Sequence, residues 1–222
     1  MPRIRSELVD EAAARAIVTA GRRLGARGLV AAAEGNLSVR LDHDRLLVSP
    51  TGRRKDELDA DDLVVVELAT GRTVGTGRPS SDIAIHSAVY LARPDVRAIA
   101  HAHVPAALAL TLAGEAPDPQ VLPETALLLP RVPLVPFGTM GSEELAARIA
   151  GALAQDAGDG PPRAAILERH GAIAVGSTLV EAVDALELVD LLCRVWRDAR
   201  LLAPTRRFGP PFPPPGSDRT SA

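Results

Sequence analysis

The run Ala98 to Val104 constrains this chain more than any other: Ala-Ile-Ala-His-Ala-His-Val, with Pro94-Asp95 breaking the chain before it and Pro105 stopping it. So short a segment is compatible with a strand. On a strand, residues two apart share a face, so His101 and His103 present two imidazoles to one point while Ala100 and Ala102 face the other way. The surroundings, Ala-Ile-Ala-His-Ala-His-Val-Pro-Ala-Ala-Leu-Ala-Leu, are otherwise apolar, and a buried imidazole needs a partner. That is the geometry of a pair of metal ligands.

A third imidazole, His170, lies in Glu-Arg-His-Gly between two short apolar segments, where Gly171 permits the tight backbone that would aim it at a site. Three histidines with open coordination positions suit zinc or another first-row divalent ion. His43, between Asp42 and Asp44 in a hairpin turn, faces solvent on this reading. His86, one helical turn after Asp82, is expected to be packed or to contact ligands rather than to be one. A second constellation gathers small polar residues: Gly35-Asn36 with Ser38, Ser49 with Thr51-Gly52, and Ser80-Ser81 at a helix start. Backbone N–H groups and short hydroxyls of this kind can surround a phosphate, and each piece alone is also ordinary turn chemistry.

The rest of the chain supplies alternating helices and hairpins. Glu7 to Ala26 carries helical periodicity and stops at Gly28. Leu37–Arg40 with Leu46–Ser49, and Leu63–Leu68 with Arg72–Val74, form two hairpins. Helices follow over Ile83–Leu91, where Ser80 or Ser81 is the natural N-cap, and over Ala106–Ala113, Ser142–Ala154 and Leu179–Leu202. Short strands fall at Val132–Pro136, Ala164–Leu167 and Ala172–Val175. Residues 1–202 make one α/β domain, and 203–222, with Pro210, Pro211 and Pro213–Pro215, a flexible tail.

Composition narrows the partners. A net charge of −3 with mixed signs offers no broad field for nucleic acid or anionic lipid. No apolar run reaches membrane-spanning length, and Glu7, Asp10 and Glu11 interrupt what would be a signal-peptide core, so the cytoplasm is the expected location. Aromatics are only 2% of the residues, so Ala, Val and Leu must build the core. The single cysteine, Cys193, is expected within that core.

Together, Glu-Gly-Asn-Leu-Ser at 34–38, Ser-Pro-Thr-Gly at 49–52, Arg-Pro-Ser-Ser-Asp at 78–82, His-Ala-His at 101–103 and Arg-His-Gly at 169–171 resemble the class II aldolase/adducin family in order and spacing. The resemblance implies a three-layer α/β/α sandwich with a central, mainly antiparallel sheet, assembled as a C4 homotetramer. It implies that His101, His103 and His170 bind a divalent metal, with zinc expected and manganese or cobalt as alternatives. It implies that Asn36, Thr51, Gly52, Ser80 and Ser81 hold the phosphate of a small phosphorylated sugar, and that Asp82 is the acid/base. Family aldolases place glutamate at that position, whereas the ribulose-phosphate 4-epimerase branch has aspartate there, at the metal. Aldolases and epimerases of the family also use tyrosines; the only one here is Tyr90, inside a helix. Glu124 is a weak substitute acid, better explained as a helix-turn carboxylate.

The expected activity is retro-aldol cleavage of a ketose 1-phosphate to dihydroxyacetone phosphate and an aldehyde, with the metal stabilising the enediolate. Rival expectations on the same site are 4-epimerisation, decarboxylation of a 3-oxo-acid phosphate and dehydration of methylthioribulose phosphate. A non-catalytic, adducin-like assembly module is the alternative of a different class, and three histidines in place argue against it.

Overall fold

The computed structural model describes residues 10–205. Glu7 to Val9 and, in the tail, Pro210, Pro211 and Pro213–Pro215 lie outside the described residues. The first helix, α1 (Glu11–Ala26), begins where the Asp10 carboxylate accepts from the N–H groups of Ala12 and Ala13. It ends in a Schellman motif: Leu29 N–H donates to Leu24 C=O and Gly28 N–H to Gly25 C=O, with Gly28 at φ +67°. Only glycine occupies that conformation without strain.

Eight strands form one sheet in the order β4-β3-β2-β1-β5-β8-β7-β6. β1 (Asn36–Arg40) and β2 (Arg45–Val48) are joined by the Asp42 turn, and β3 (Val64–Glu67) and β4 (Thr73–Val74) by the Thr70-Gly71 turn. Helix α2 (Ile83–Ala92) leads to β5 (Ala98–Ala102), and α3 (Pro105–Leu112) and α4 (Pro123–Leu128) follow. β6 (Leu134–Val135), α5 (Glu143–Ala154), β7 (Ala164–Leu167), β8 (Gly171–Gly176) and α6 (Leu179–Leu202) complete the chain.

The sheet is mixed, with one parallel pair at its β6 edge. β6 runs parallel to β7 while the other neighbouring pairs are antiparallel. The cause is the intervening helix: β6, α5 and β7 form a crossover, which returns the chain in the same direction.

Strand alternation divides the core between the sheet's two faces. Leu37, Leu47, Ala98, Ala100, Ala102, Ala172 and Ala174 pack with Ile17 and Leu24 of α1, Leu110 of α3, and Ala182, Ala185 and Leu186 of α6. Leu46, Val48, Ile99, Ala165, Ile173 and Val175 pack with Ile85 and Val89 of α2 and with Leu145, Ile149 and Leu153 of α5. Alanine predominates where β5 and β8 meet α6, and this lets the helix backbone approach closely. Cys193 is buried in the same cluster, and desolvation pushes its thiol up to about 12. Among the described residues no helix is long and apolar enough to cross a membrane.

The turn between β7 and β8 controls where His170 sits. Arg169 has φ +55° and its N–H donates to Thr111 Oγ1 at 3.1 Å, while Gly171 has φ +129°. A Cβ on Gly171 would collide with the Ala102 carbonyl and lie 2.8 Å from the His103 Cα. Gly171→Ala should therefore destabilise the protein by roughly 2–4 kcal/mol, combining backbone strain with a clash against β5. Denaturant unfolding measures this, and a loss below about 0.5 kcal/mol, the usual range for a harmless surface change, would contradict it.

Candidate metal centre

β5 is the middle of the sheet, with every residue buried, and His101 projects from it on the face it shares with Ile99, towards α2. The strand ends at Ala102, so His103 lies one residue past it rather than on it. This corrects the sequence expectation: Val104 and Pro105 already turn the chain into α3. The two imidazoles still converge, with ring centroids 5.3 Å apart, and His170 completes the group at 4.8 Å from His101 and 5.1 Å from His103. One nitrogen from each of the three rings lies within 4.8 Å of the others.

Hydrogen bonding fixes which nitrogen is offered. His101 Nδ1 donates to Ala172 C=O at 2.9 Å, leaving the Nε2 lone pair facing the cluster. His101 Nε2, both His170 ring nitrogens and Asp82 Oδ1 are buried without a hydrogen-bond partner. Buried polar atoms are ordinarily satisfied, so His101 Nε2 and one His170 nitrogen fit a cation that would engage them together with His103. Burial, reinforced by the neighbouring His170 and His103, holds His101 well below its ordinary pKa of 6.5. Burial likewise lowers His170, partly offset by Asp82. Neutral imidazoles are what a divalent ion requires. Glu34 Oε1 lies 3.6 Å from His103 Nδ1 at the rim, a neighbour that spacing alone did not reveal.

Asp82 is buried at the start of α2, with Oδ2 3.9 Å from His101 Nε2. It is itself the residue flanking the helix, so neither Ser80 nor Ser81 is the N-cap. The Asp82 carboxylate does not cap the helix either, because it accepts from Asn36 Nδ2 at 2.8 Å. Asn36 Oδ1 in turn lies 2.5 Å from His86 Nε2, and His86 Nδ1 lies 2.6 Å from Ser38 Oγ. Ser38 Oγ also meets the Tyr90 hydroxyl at 2.9 Å. His86 is thus packed, as its position after Asp82 implied, while the partnership with Ser38 and Tyr90 went unread. The signal was present: Asn36 and Ser38 are two apart on a strand, and Asp82, His86 and Tyr90 are four apart on a helix, so each set shares a face.

The small polar loops are brought next to one another. Pro50 bridges Pro79, Thr51 N–H donates to Arg78 C=O, and Ser80 N–H donates to Ser49 C=O. Ser80 Oγ accepts from Asp82 N–H at 3.3 Å. The buried Lys55 amine, which the sequence reading missed, donates to Ala33 C=O at 2.9 Å and to Arg53 C=O at 2.6 Å, tying the loop before β1 to the Thr51-Gly52 loop. Burial lowers that amine to about 8. Thr51, Gly52 and Ser81 are exposed and Ser80 is buried. Asn36 differs from the other candidate phosphate contacts: it is buried, and its amide is already engaged at both ends. Glu124 is exposed in the first turn of α4, as a helix-turn carboxylate. His43 is exposed, as expected of a turn residue.

Residues 15–197 match the family model described as the class II aldolase and adducin N-terminal domain. The chain belongs to this family. It is 34% identical over 184 residues to the 3-oxo-tetronate 4-phosphate decarboxylase of Haemophilus influenzae, covering 81% of this chain and 84% of that one. It is also 34% identical over 188 residues to the methylthioribulose-1-phosphate dehydratase of Acidiphilium cryptum, covering 81% and 87%. The crystal structure of L-fuculose-1-phosphate aldolase from Thermus thermophilus superposes with a TM-score of 0.76 at 29% identity, covering 89% of this chain and 99% of that one. The similarities therefore fit the decarboxylase and dehydratase alternatives better than a specific aldolase.

The polar network has a pH consequence. Burial lowers His86 to about 4 from an ordinary 6.5, so the unfolded chain binds a proton there that the folded chain does not. Its contribution to stability is full above pH 6.5 and is lost as pH falls from 6.5 towards 4, amounting to about 3 kcal/mol. Unfolding of chelator-treated protein across that window should show His86→Gln losing close to one proton's worth of the wild-type slope. Parallel slopes for the two proteins would refute the assignment.

Proposed function

We propose that this protein is a divalent-metal-dependent carbon–carbon lyase that decarboxylates a short 3-oxo-acid phosphate. The observation that carries the reading is the inventory of proton-transfer groups. The only tyrosine, Tyr90, is buried behind Ser38 and His86, leaving Asp82 as the buried carboxylate beside the histidines. Retro-aldol cleavage and dehydration each move protons at two positions, whereas loss of CO2 from a 3-oxo acid leaves an enediolate that needs one proton. The decarboxylase relatives at about one-third identity support the same reading.

In this reading His101, His103 and His170 hold the metal, with zinc expected, and the metal supplies a Lewis acid for the charge that develops on the substrate's carbonyl oxygen. The phosphate rests on Thr51, Gly52, Ser80 and Ser81, whose loops are joined at Pro50 and Pro79. Asn36 contributes at most its second amide hydrogen. The bond between the carboxylate carbon and its neighbour breaks, CO2 departs leaving the electron pair on the enediolate, and one proton, taken up from solvent and delivered by Asp82, gives dihydroxyacetone phosphate when the substrate is 3-oxo-tetronate 4-phosphate. We further infer a three-layer α/β/α arrangement, from the helices that pack on each face of the sheet. A homotetramer is inferred too, supported by exposed Leu127, Leu128, Leu191 and Val195. A cytoplasmic location fits the same enzyme class. Retro-aldol cleavage of a ketose 1-phosphate is the second reading, favoured by the likeness to the fuculose-phosphate enzyme.

Two measurements test this. Purified protein should carry one divalent ion per subunit by metal analysis, and His103→Ala should lose it; a full metal complement in that variant would remove the histidine triad from consideration. Offered 3-oxo-tetronate 4-phosphate, methylthioribulose 1-phosphate and a panel of ketose 1-phosphates, the protein should release CO2 from the first. Asp82→Asn should slow that release by about 10²–10⁴-fold while metal content holds. Turnover of ketose phosphates alone would transfer the assignment to the aldolase.

A further inference from the structure

The donor and acceptor capacities of the buried network allow only one polarity. A carboxylate accepts hydrogen bonds and donates none, so the group that Asn36 turns to Asp82 is its NH2, 2.8 Å away. Asn36 Oδ1 therefore faces His86, and His86 Nε2, 2.5 Å from it, must carry a proton. A buried neutral imidazole has one N–H, so Nδ1 is the acceptor and takes the hydroxyl proton of Ser38 at 2.6 Å. The Ser38 oxygen is then free to accept from Tyr90, whose hydroxyl lies 2.9 Å from Oγ and 3.1 Å from the Ser38 carbonyl oxygen. Burial pushes the Tyr90 phenol well above its ordinary range, so it keeps the proton it donates. Arg40 holds the far end, donating to the Tyr90 carbonyl at 2.6 Å with its guanidinium 4.9 Å over the ring. The reverse polarity would press two acceptors, His86 Nε2 and Asn36 Oδ1, against each other.

We infer that His86 is a positioning residue: as its Nε2–H tautomer, fixed by Ser38 and Tyr90, it locks the Asn36 amide so that Asn36 donates to Asp82 Oδ2 and leaves Oδ1 free. Every hydrogen bond in the row, from Tyr90 through Ser38, His86 and Asn36, points its proton towards Asp82. The Asp82 oxygen left without a partner is Oδ1, the one available to a reacting proton. The role rests on Asp82 being the proton-transfer group of the proposed reaction, while the tautomer itself does not.

Two readouts test the inference. In zinc-loaded and in metal-free protein, nitrogen-15 correlation spectra of the histidine rings at pH 7 should show His86 protonated at Nε2 and bare at Nδ1. The opposite tautomer, or protons on both nitrogens, would overturn the inference. No substrate is needed, so this result is independent of which sugar phosphate, if any, is turned over. In the kinetic test, His86→Phe removes both ring contacts while filling the space. It should lower kcat by on the order of 10²-fold with KM and zinc content little changed, the penalty of a misplaced catalytic group. His86→Gln, whose amide nitrogen can replace the Nε2 donor, should recover most of that loss. If the two variants lose activity equally, or if His86→Phe turns over normally, His86 serves only packing. Should His86→Phe fail to fold, Ser38→Ala provides a second test: Asn36 Oδ1 still requires the Nε2–H tautomer in the spectra, while the ring loses its Nδ1 anchor and kcat should fall with zinc content unchanged; an unchanged kcat, or a switch of tautomer, would overturn the inference.

Discussion

The structure depends on burying polar groups at the middle of an apolar sheet. β5 lies between β1 and β8, and its register sets Asn36 opposite His101 and His101 opposite Ile173. Burying an imidazole or a carboxamide without partners costs several kcal/mol, so hydrogen bonds among these groups offset much of what their burial in the sheet would cost. The Asn36 amide serves Asp82 and His86 together, and the Ala172 carbonyl holds His101. Asn36, His86 and the Ala172 carbonyl thus support the candidate centre and belong to the hydrogen bonding of the core. Removing one leaves its neighbour buried and unpaired, which is the costly outcome.

What the sequence made legible was whatever is local. Helix α6 was read at its observed bounds because its apolar stripe is a short-range signal; the structure adds a cap at Thr178, whose side chain accepts from Glu181 N–H. The two hairpins followed from their turn residues. The parallel pairing of β6 with β7 was not legible, because two-residue strand contacts depend on where a crossover helix lands. The cap of α2 was misassigned because two serines precede Asp82 and propensity favours them. The backbone places Asp82 itself at the N-cap, and its carboxylate bonds to Asn36 rather than to the helix N–H groups.

The site was partly legible for the same reason. His101 and His103 are two apart and His170 is followed by glycine, so their convergence could be argued from spacing. Lys55 could not be: nothing in Arg-Arg-Lys-Asp-Glu signals an amine that turns inward to hold two loops. Asn36, expected to meet the substrate, also holds Asp82 and His86, a tertiary role that spacing does not signal. The site thus divides into a polar half built into the core and an exposed half of loop N–H groups and hydroxyls.

The alanine seam gives that division a further meaning. Ala98, Ala100, Ala102, Ala172 and Ala174 face Ala182 and Ala185 of α6, so the wall behind the histidines has almost no side-chain volume left to trade. A residue there cannot become much smaller, and each added methyl group must push a helix outward through a close-packed interior. Drift in substrate preference has little room at the back of the centre. The exposed loops are less constrained, since a residue such as Thr51 or Ser81 can change without moving the sheet. A chain built on this wall can change at its mouth while the interior geometry stays put.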